Sequence, residues 1–143
     1  MERVSRRTPQ SRNQRRSAPA RNPSCPCGLA ETYEACCGRF HRGEASAPTA
    51  EALMRSRYCA FVKGDEAYLL RTWHPRTRPP RLDLDPAMRW TGLEILAKTE
   101  GTPFHTTGTV TFRASYEDGS LQEHSHFERS AGAWTYTDGD VTA

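Results

Sequence analysis

Long apolar runs are missing from this 143-residue sequence. None approaches the roughly 18 residues that a bilayer span needs, and the first residues lack the hydrophobic stretch of a signal peptide. The sequence therefore predicts no membrane insertion, no secretion and a reducing, cytoplasmic location. Hydrophobic residues are scarce throughout, at 36% against 26% charged, and the mean hydropathy is -0.79. Part of the chain is thus expected to lie outside any core. Acids are almost absent from the first 24 residues, where Glu2 stands against Arg3, Arg6, Arg7, Arg12, Arg15, Arg16 and Arg21. That start is +6 in a chain of net +3, which leaves residues 25–143 at −3. The length allows one domain and a small appendage, not two ordinary domains.

Residues 1–22 hold Pro, Ser, Asn and Gln among their arginines, with almost nothing apolar to offset the entropy of ordering. They read as a disordered basic tail. Such a tail can hold RNA or DNA phosphates without sequence preference, although it carries no aromatic residue to stack on bases. The other reading is a solvated extension. The slightly acidic body argues against a dedicated nucleic-acid-binding domain.

Four of the five cysteines fall within thirteen residues, as Cys25-Pro26-Cys27 and then Cys36-Cys37. Two close thiol pairs joined by a short loop can converge on one tetrahedral metal. Two disulfides would instead need an oxidising compartment. The spacing therefore points to zinc, in a closed structural site, because four protein sulfurs leave no position for water. His41, four residues beyond Cys37, is an alternative to one thiolate. Cys59 stands apart in an apolar helical stretch and reads as a small core residue.

The string CPCGLAETYEACCGRFHRGE resembles a SEC-C motif, the zinc-binding module also found at the C-terminus of the SecA translocation ATPase. The resemblance places ligands at Cys25, Cys27, Cys36 and Cys37. Leu29 and Ala30 depart from it, standing where Ser-Gly is usual. The following APTAEALMRSRYCAFVKGDEAYLLRTWHP is similar to the bacterial YchJ-like family, in which a SEC-C motif precedes a domain like nuclear transport factor 2. The resemblance implies a knuckle over residues 23–42 and a cone-shaped α+β domain over 49–140. In SecA the module is associated with a chaperone partner and with ribosome or lipid contacts, which implies a protein partner here.

The periodicity of residues 49–140 predicts the same architecture independently. Thr49 can cap a helix that carries Ala50, Leu53, Met54, Tyr58 and Phe61 on one face and stops at Gly64. Asp65 can cap a second helix with Tyr68, Leu69, Leu70 and Trp73, broken at His74-Pro75. From about residue 86 the period becomes two, and from Phe104 the alternation places Phe104, Val110, Phe112, Ala114 and Tyr116 on one face. Asp118-Gly119 reads as a two-residue hairpin turn. That register sets Leu121 opposite Tyr116, Glu123 opposite Ala114, Ser125 opposite Phe112 and Phe127 opposite Val110. The expected fold is α+β, with helices packed on a curved antiparallel sheet of about four strands.

A crevice between helices and sheet is where a pocket would form. Glu123 points towards it, Arg57 can reach it from the first of these helices, and Trp73 and His74 stand at its rim. Glu123 and Arg57 then have three readings. They form a register-fixing ion pair, they line a small-molecule pocket, or Glu123 or His74 serves as base in an isomerase- or dehydratase-like site. His124 and His126 fall on the opposite, polar face with no third ligand near in sequence. The expected function is a non-enzymatic adaptor built on structural zinc, as a monomer or homodimer. The alternatives are a pocket-based binder or enzyme and, more weakly, nucleic-acid binding through the tail.

Overall fold

The computed structural model describes residues 24–142. The first helix, α1, is the five residues Cys37–His41, which follow the turn that opens at Ser24. Helix α2, Ala50–Lys63, begins as its sequence predicts: the Thr49 side chain accepts from the Ala52 N–H. It stops at Gly64, whose φ of 73° is the left-handed conformation that glycine adopts at least cost. Asp65 then accepts from the Tyr68 N–H and opens α3, Glu66–Arg71. After α3 the chain runs without regular structure to β1, Trp90–Glu100, and continues as β2, Thr107–Tyr116. Strands β3, Gly119–Ser130, and β4, Ala133–Thr142, complete the sheet.

All neighbours are antiparallel, and the strand order is the chain order, β1-β2-β3-β4. Register shifts between Trp90 and Gly92, Ile95 and Ala97, and His126 and Phe127 bend the sheet. Helices α2 and α3 lie across its apolar face. Leu53, Leu69, Val110 and Phe127 are at most 2% exposed there, each burial stabilising by about 1.5–3 kcal/mol. The start of α2 is pinned to the β1–β2 turn by the Ala50 N–H, which donates to the Gly101 carbonyl at 2.9 Å.

Two sequence expectations need correction. The β2–β3 turn is Glu117-Asp118, not Asp118-Gly119, and Gly119 is itself paired with Tyr116. Each predicted partner therefore moves by two positions: Glu123 faces Phe112, Ser125 faces Val110 and Leu121 faces Ala114. The cause is tertiary. The Glu117 N–H donates to the Arg89 carbonyl at 3.0 Å, which fixes the backbone at the turn from outside the hairpin. A two-residue move keeps the face, so Glu123 still points to the apolar side. Phe104 does not belong to that face. It sits in the loop before β2 and is 95% exposed, because the turn closed by the His105 N–H on the Thr102 carbonyl precedes the strand.

Candidate metal centre and cone cavity

Ser24 bridges to Thr32, and the Cys25 N–H donates to the Glu31 carbonyl at 2.7 Å, so the first thiol pair is folded back towards α1. Leu29 and Ala30, the departures from the SEC-C pattern, lie at the surface of this turn. The Sγ atoms of Cys25, Cys27, Cys36 and Cys37 lie within 4.8 Å of one another, all four residues are buried, and none is in a disulfide. A zinc tetrahedron with Zn–S near 2.3 Å has sulfur–sulfur edges of about 3.8 Å. Cys27 and Cys36 are 3.7 Å apart, and the donor set fits a thiophilic metal. Thiol donation from Cys37 and then Cys59 holds Cys27 far below the usual thiol range. Burial, with its own donation to Cys27, pushes Cys36 up to about 12.

His41 is not a ligand in this arrangement. Its Nε2 donates to the Ser56 carbonyl at 2.8 Å, which leaves Nδ1 to accept from the Tyr33 hydroxyl at 2.6 Å. Nε2 therefore ties the knuckle to α2, while Nδ1 fastens α1 to the Tyr33 turn within the knuckle. Arg55 makes a second tie. It donates to the Cys27 carbonyl and to Glu51, and Glu51 in turn accepts from Lys98 of β1 at 2.8 Å. Arg71 of α3 adds a third through the Phe40 carbonyl. Cys59 is the buried core residue expected, but it does not stand apart: its Sγ lies 3.3 Å from that of Cys25, beside the quartet.

Between α2 and the sheet lies a cavity of about 310 Å³. Its aromatic walls include Tyr58, Trp73, Trp90 and Phe112, and its polar groups are Arg57, Glu123, Ser125 and Tyr136. Arg57 is only 5% exposed, and it donates through Nη1 to the Leu69 carbonyl and the Thr72 hydroxyl. Its guanidinium is sandwiched against the Tyr136 ring at 4.6 Å and the Trp73 ring at 5.2 Å. Burial lowers it to about 10.

The expected Arg57–Glu123 ion pair does not form. Tyr136 occupies the space between, giving its ring face to Arg57 and its hydroxyl to Glu123 Oε2 at 2.7 Å, while Ser125 donates to the same oxygen at 2.9 Å. Burial, and then the charge of Glu123, raise the Tyr136 phenol above its usual value. Sequence reasoning did not single out Tyr136; the Trp-Thr-Tyr-Thr alternation at 134–137 was the available signal. Trp73 lines the cavity, and its Nε1–H is buried without an acceptor among the described residues. His74 lies outside it, because the chain turns at Pro75 and carries its ring to Arg76 and Glu128. His124 and His126 are on the outer face, bonded to Thr111 and Asp138 respectively. Among the described residues no third ligand joins them.

The family profile described as "YchJ, middle NTF2-like domain" matches residues 49–139. A UPF0225 protein of Streptomyces coelicolor is 75% identical over 118 residues, which cover 82% of this chain and 95% of that one. Another, of Streptomyces avermitilis, is 74% identical over 117 residues, covering 82% and 84%. The solution structure of a SEC-C motif containing protein from Rhodopseudomonas palustris is similar with a TM-score of 0.72 and 32% identity, covering 83% of this chain and 98% of its own. A crystal structure of a SEC-C motif containing protein from Psychrobacter arcticus matches at 0.65 and 29% identity, covering 83% and 82%. Knuckle, helices and curved four-stranded sheet are therefore those of a known group, and the chain belongs to the YchJ-like family, UPF0225, with its nuclear transport factor 2-like domain.

Proposed function

We propose that this protein is a small-molecule-binding protein whose zinc knuckle is structural and braces the helical wall of the cone. One observation carries the reading: Arg57 is an enclosed cation on the cavity wall that makes no salt bridge among the described residues, with Tyr136 standing between it and Glu123. A desolvated charge without a direct counter-ion is costly, and such groups gather where a ligand supplies the missing partner. A volume near 310 Å³ with aromatic walls suits a one- or two-ring molecule. The guanidinium selects a carboxylate or another acceptor end. Glu123, already accepting two hydroxyl protons, orients the sheet side of the cavity and is not assigned as a base.

The test is a thermal-shift and line-broadening screen with benzoate and indole carboxylates against their amides. Acids should raise the Tm of the wild-type protein, amides should do less, and Arg57→Met should abolish the difference. A panel in which acids and amides behave alike in both proteins removes the reading.

An adaptor acting through the knuckle is the second reading, supported by Leu29, which is 44% exposed on its outer turn. Pull-downs with wild type and Cys36→Ser/Cys37→Ser separate the two. A pocket ligand survives loss of the knuckle's shape better than a knuckle partner does. Zinc, the reducing cytoplasmic location and a monomeric or homodimeric state belong to the same proposal; five unbridged cysteines support the first two.

A further inference from the structure

We infer, resting on the reading of the cone cavity as a ligand site, that Glu123 is the second anchor of that site. The ligand is then an aromatic acid with a hydroxyl or an amine across its ring. Ser125 and Tyr136, on the cavity wall, are already committed: both hydroxyls donate to Glu123 Oε2, at 2.9 and 2.7 Å. Glu123 Oε1 has no hydrogen bond among the described residues, although a carboxylate offers about four acceptor positions. Arg57 spends only Nη1, on the Leu69 carbonyl and the Thr72 hydroxyl, so its Nε and Nη2 stay open among the described residues.

These two unfilled groups are opposite in kind. Arg57 presents N–H donors and a positive charge, and Glu123 presents a lone-pair oxygen. They do not meet, because Arg57 lies 4.6 Å from the centre of the Tyr136 ring while Glu123 sits at its hydroxyl. Tyr136 therefore spaces the poles by the length of a phenol ring, and a ligand with one ring between acid and donor reaches both. The aromatic walls cover that ring. Glu123 is also fixed in place. Gly139 of β4 lies against it so closely that a Cβ there would overlap the carboxylate. With Oε2 held by two hydroxyls, Oε1 is set in advance, and little ordering remains when a donor arrives. An acceptor left unmatched in an apolar cavity is costly, which favours ligands that bring the donor.

Calorimetric Kd values on the full-length chain test this with benzoate, its 3- and 4-hydroxy and 3- and 4-amino forms, and the matching methoxy compounds. In wild type, the hydroxy and amino acids should each bind about tenfold tighter than benzoate at the better ring position, as one hydrogen bond to a charged group provides. Methoxy, which cannot donate, should bring no gain. In Glu123→Gln the side-chain oxygen still accepts from Ser125 and Tyr136, which turns the amide N–H to the ligand. The amino preference should then vanish, and methoxy should bind as well as hydroxy. Equal affinity of substituted and plain benzoate in wild type, or an amino preference that survives Glu123→Gln, overturns the inference. Benzoate binding that is lost in Arg57→Met leaves the cavity reading standing in either case. Acids that bind no better than their amides remove that reading, and the inference with it. Melting curves show whether Glu123→Gln folds; if it does not, the comparison of hydroxy with methoxy in wild type still decides.

Discussion

Arg57 and Tyr136 show how one side chain can decide between structure and function. Folding lowers the Arg57 guanidinium from its ordinary value to about 10, so folding favours its neutral form and the charge opposes the fold. Arg57→Met should therefore leave the Tm unchanged or raise it, even as acid binding is lost. The sign in pH is the reverse of the usual pairing case. A base whose folded pKa is depressed carries its full cost below that pKa and loses it as pH rises above about 10. The Tm difference between Arg57→Met and wild type should accordingly shrink between neutral pH and the range above 10, as measured by differential scanning fluorimetry. Tyr136→Phe removes one of the two hydroxyl donors to Glu123 Oε2 and should cost about 1–3 kcal/mol in urea unfolding. Glu123→Gln keeps an acceptor for both hydroxyls and should cost less. Since Arg57 and Glu123 both contact Tyr136, the Arg57→Met/Glu123→Gln double variant should depart from additivity.

Among the elements, the seam between knuckle and α2 is where local signals were easiest to read and their consequence hardest. Thr49→Ala removes the α2 cap and should cost about 1 kcal/mol. Glu51, two residues on, does more than stabilise a helix start. Burial works against its ionisation, but donation from Lys98 and Arg55 outweighs this and holds the carboxyl below its usual range. A depressed carboxylate contributes stability above its ordinary value and loses it as pH falls through the folded one. Glu51→Gln should thus destabilise by about 1 kcal/mol at neutral pH, the group being partly exposed. The gap from wild type should close in acid below the usual carboxylate range. A gap that is constant with pH would mean that the links through Arg55 and Lys98 carry no charge component.

At the scale of the molecule, the knuckle and the cone share one apolar cluster, in which the cysteines and Phe40 join Leu53, Met54 and Leu69. Metal removal by a chelator should release the amides of residues 24–42 to hydrogen exchange and then loosen α2 near Cys59, while β2 and β3 stay protected. Full protection of the knuckle after chelation would show that packing alone holds it. The basic tail, residues 1–22, lies outside the described residues. Its deletion should leave the Tm unchanged and remove any salt-sensitive RNA binding; equal RNA binding by both forms marks the tail as a solvated extension.

What was legible without the fold is what depends on near neighbours in the chain. The caps at Thr49 and Asp65, the stop at Gly64, the period-two stretch and the cysteine quartet each involve residues a few positions apart, so spacing alone exposes them. Even the inward direction of Glu123 survived an error in the turn, because facing depends on parity and the correction was two residues. The turn itself was decided by the Arg89 carbonyl, which no hairpin motif contains. Only the packing of α2 against the knuckle brings Cys59 to Cys25 across 34 positions of sequence. Only the bridge of Trp73 to Tyr136 puts an aromatic wall between Arg57 and Glu123. The amino-acid order thus determined the elements and the thiol cluster through short-range geometry. The identity of each partner across the core was left to tertiary packing, where long-range contacts choose among side chains that sequence spacing cannot rank.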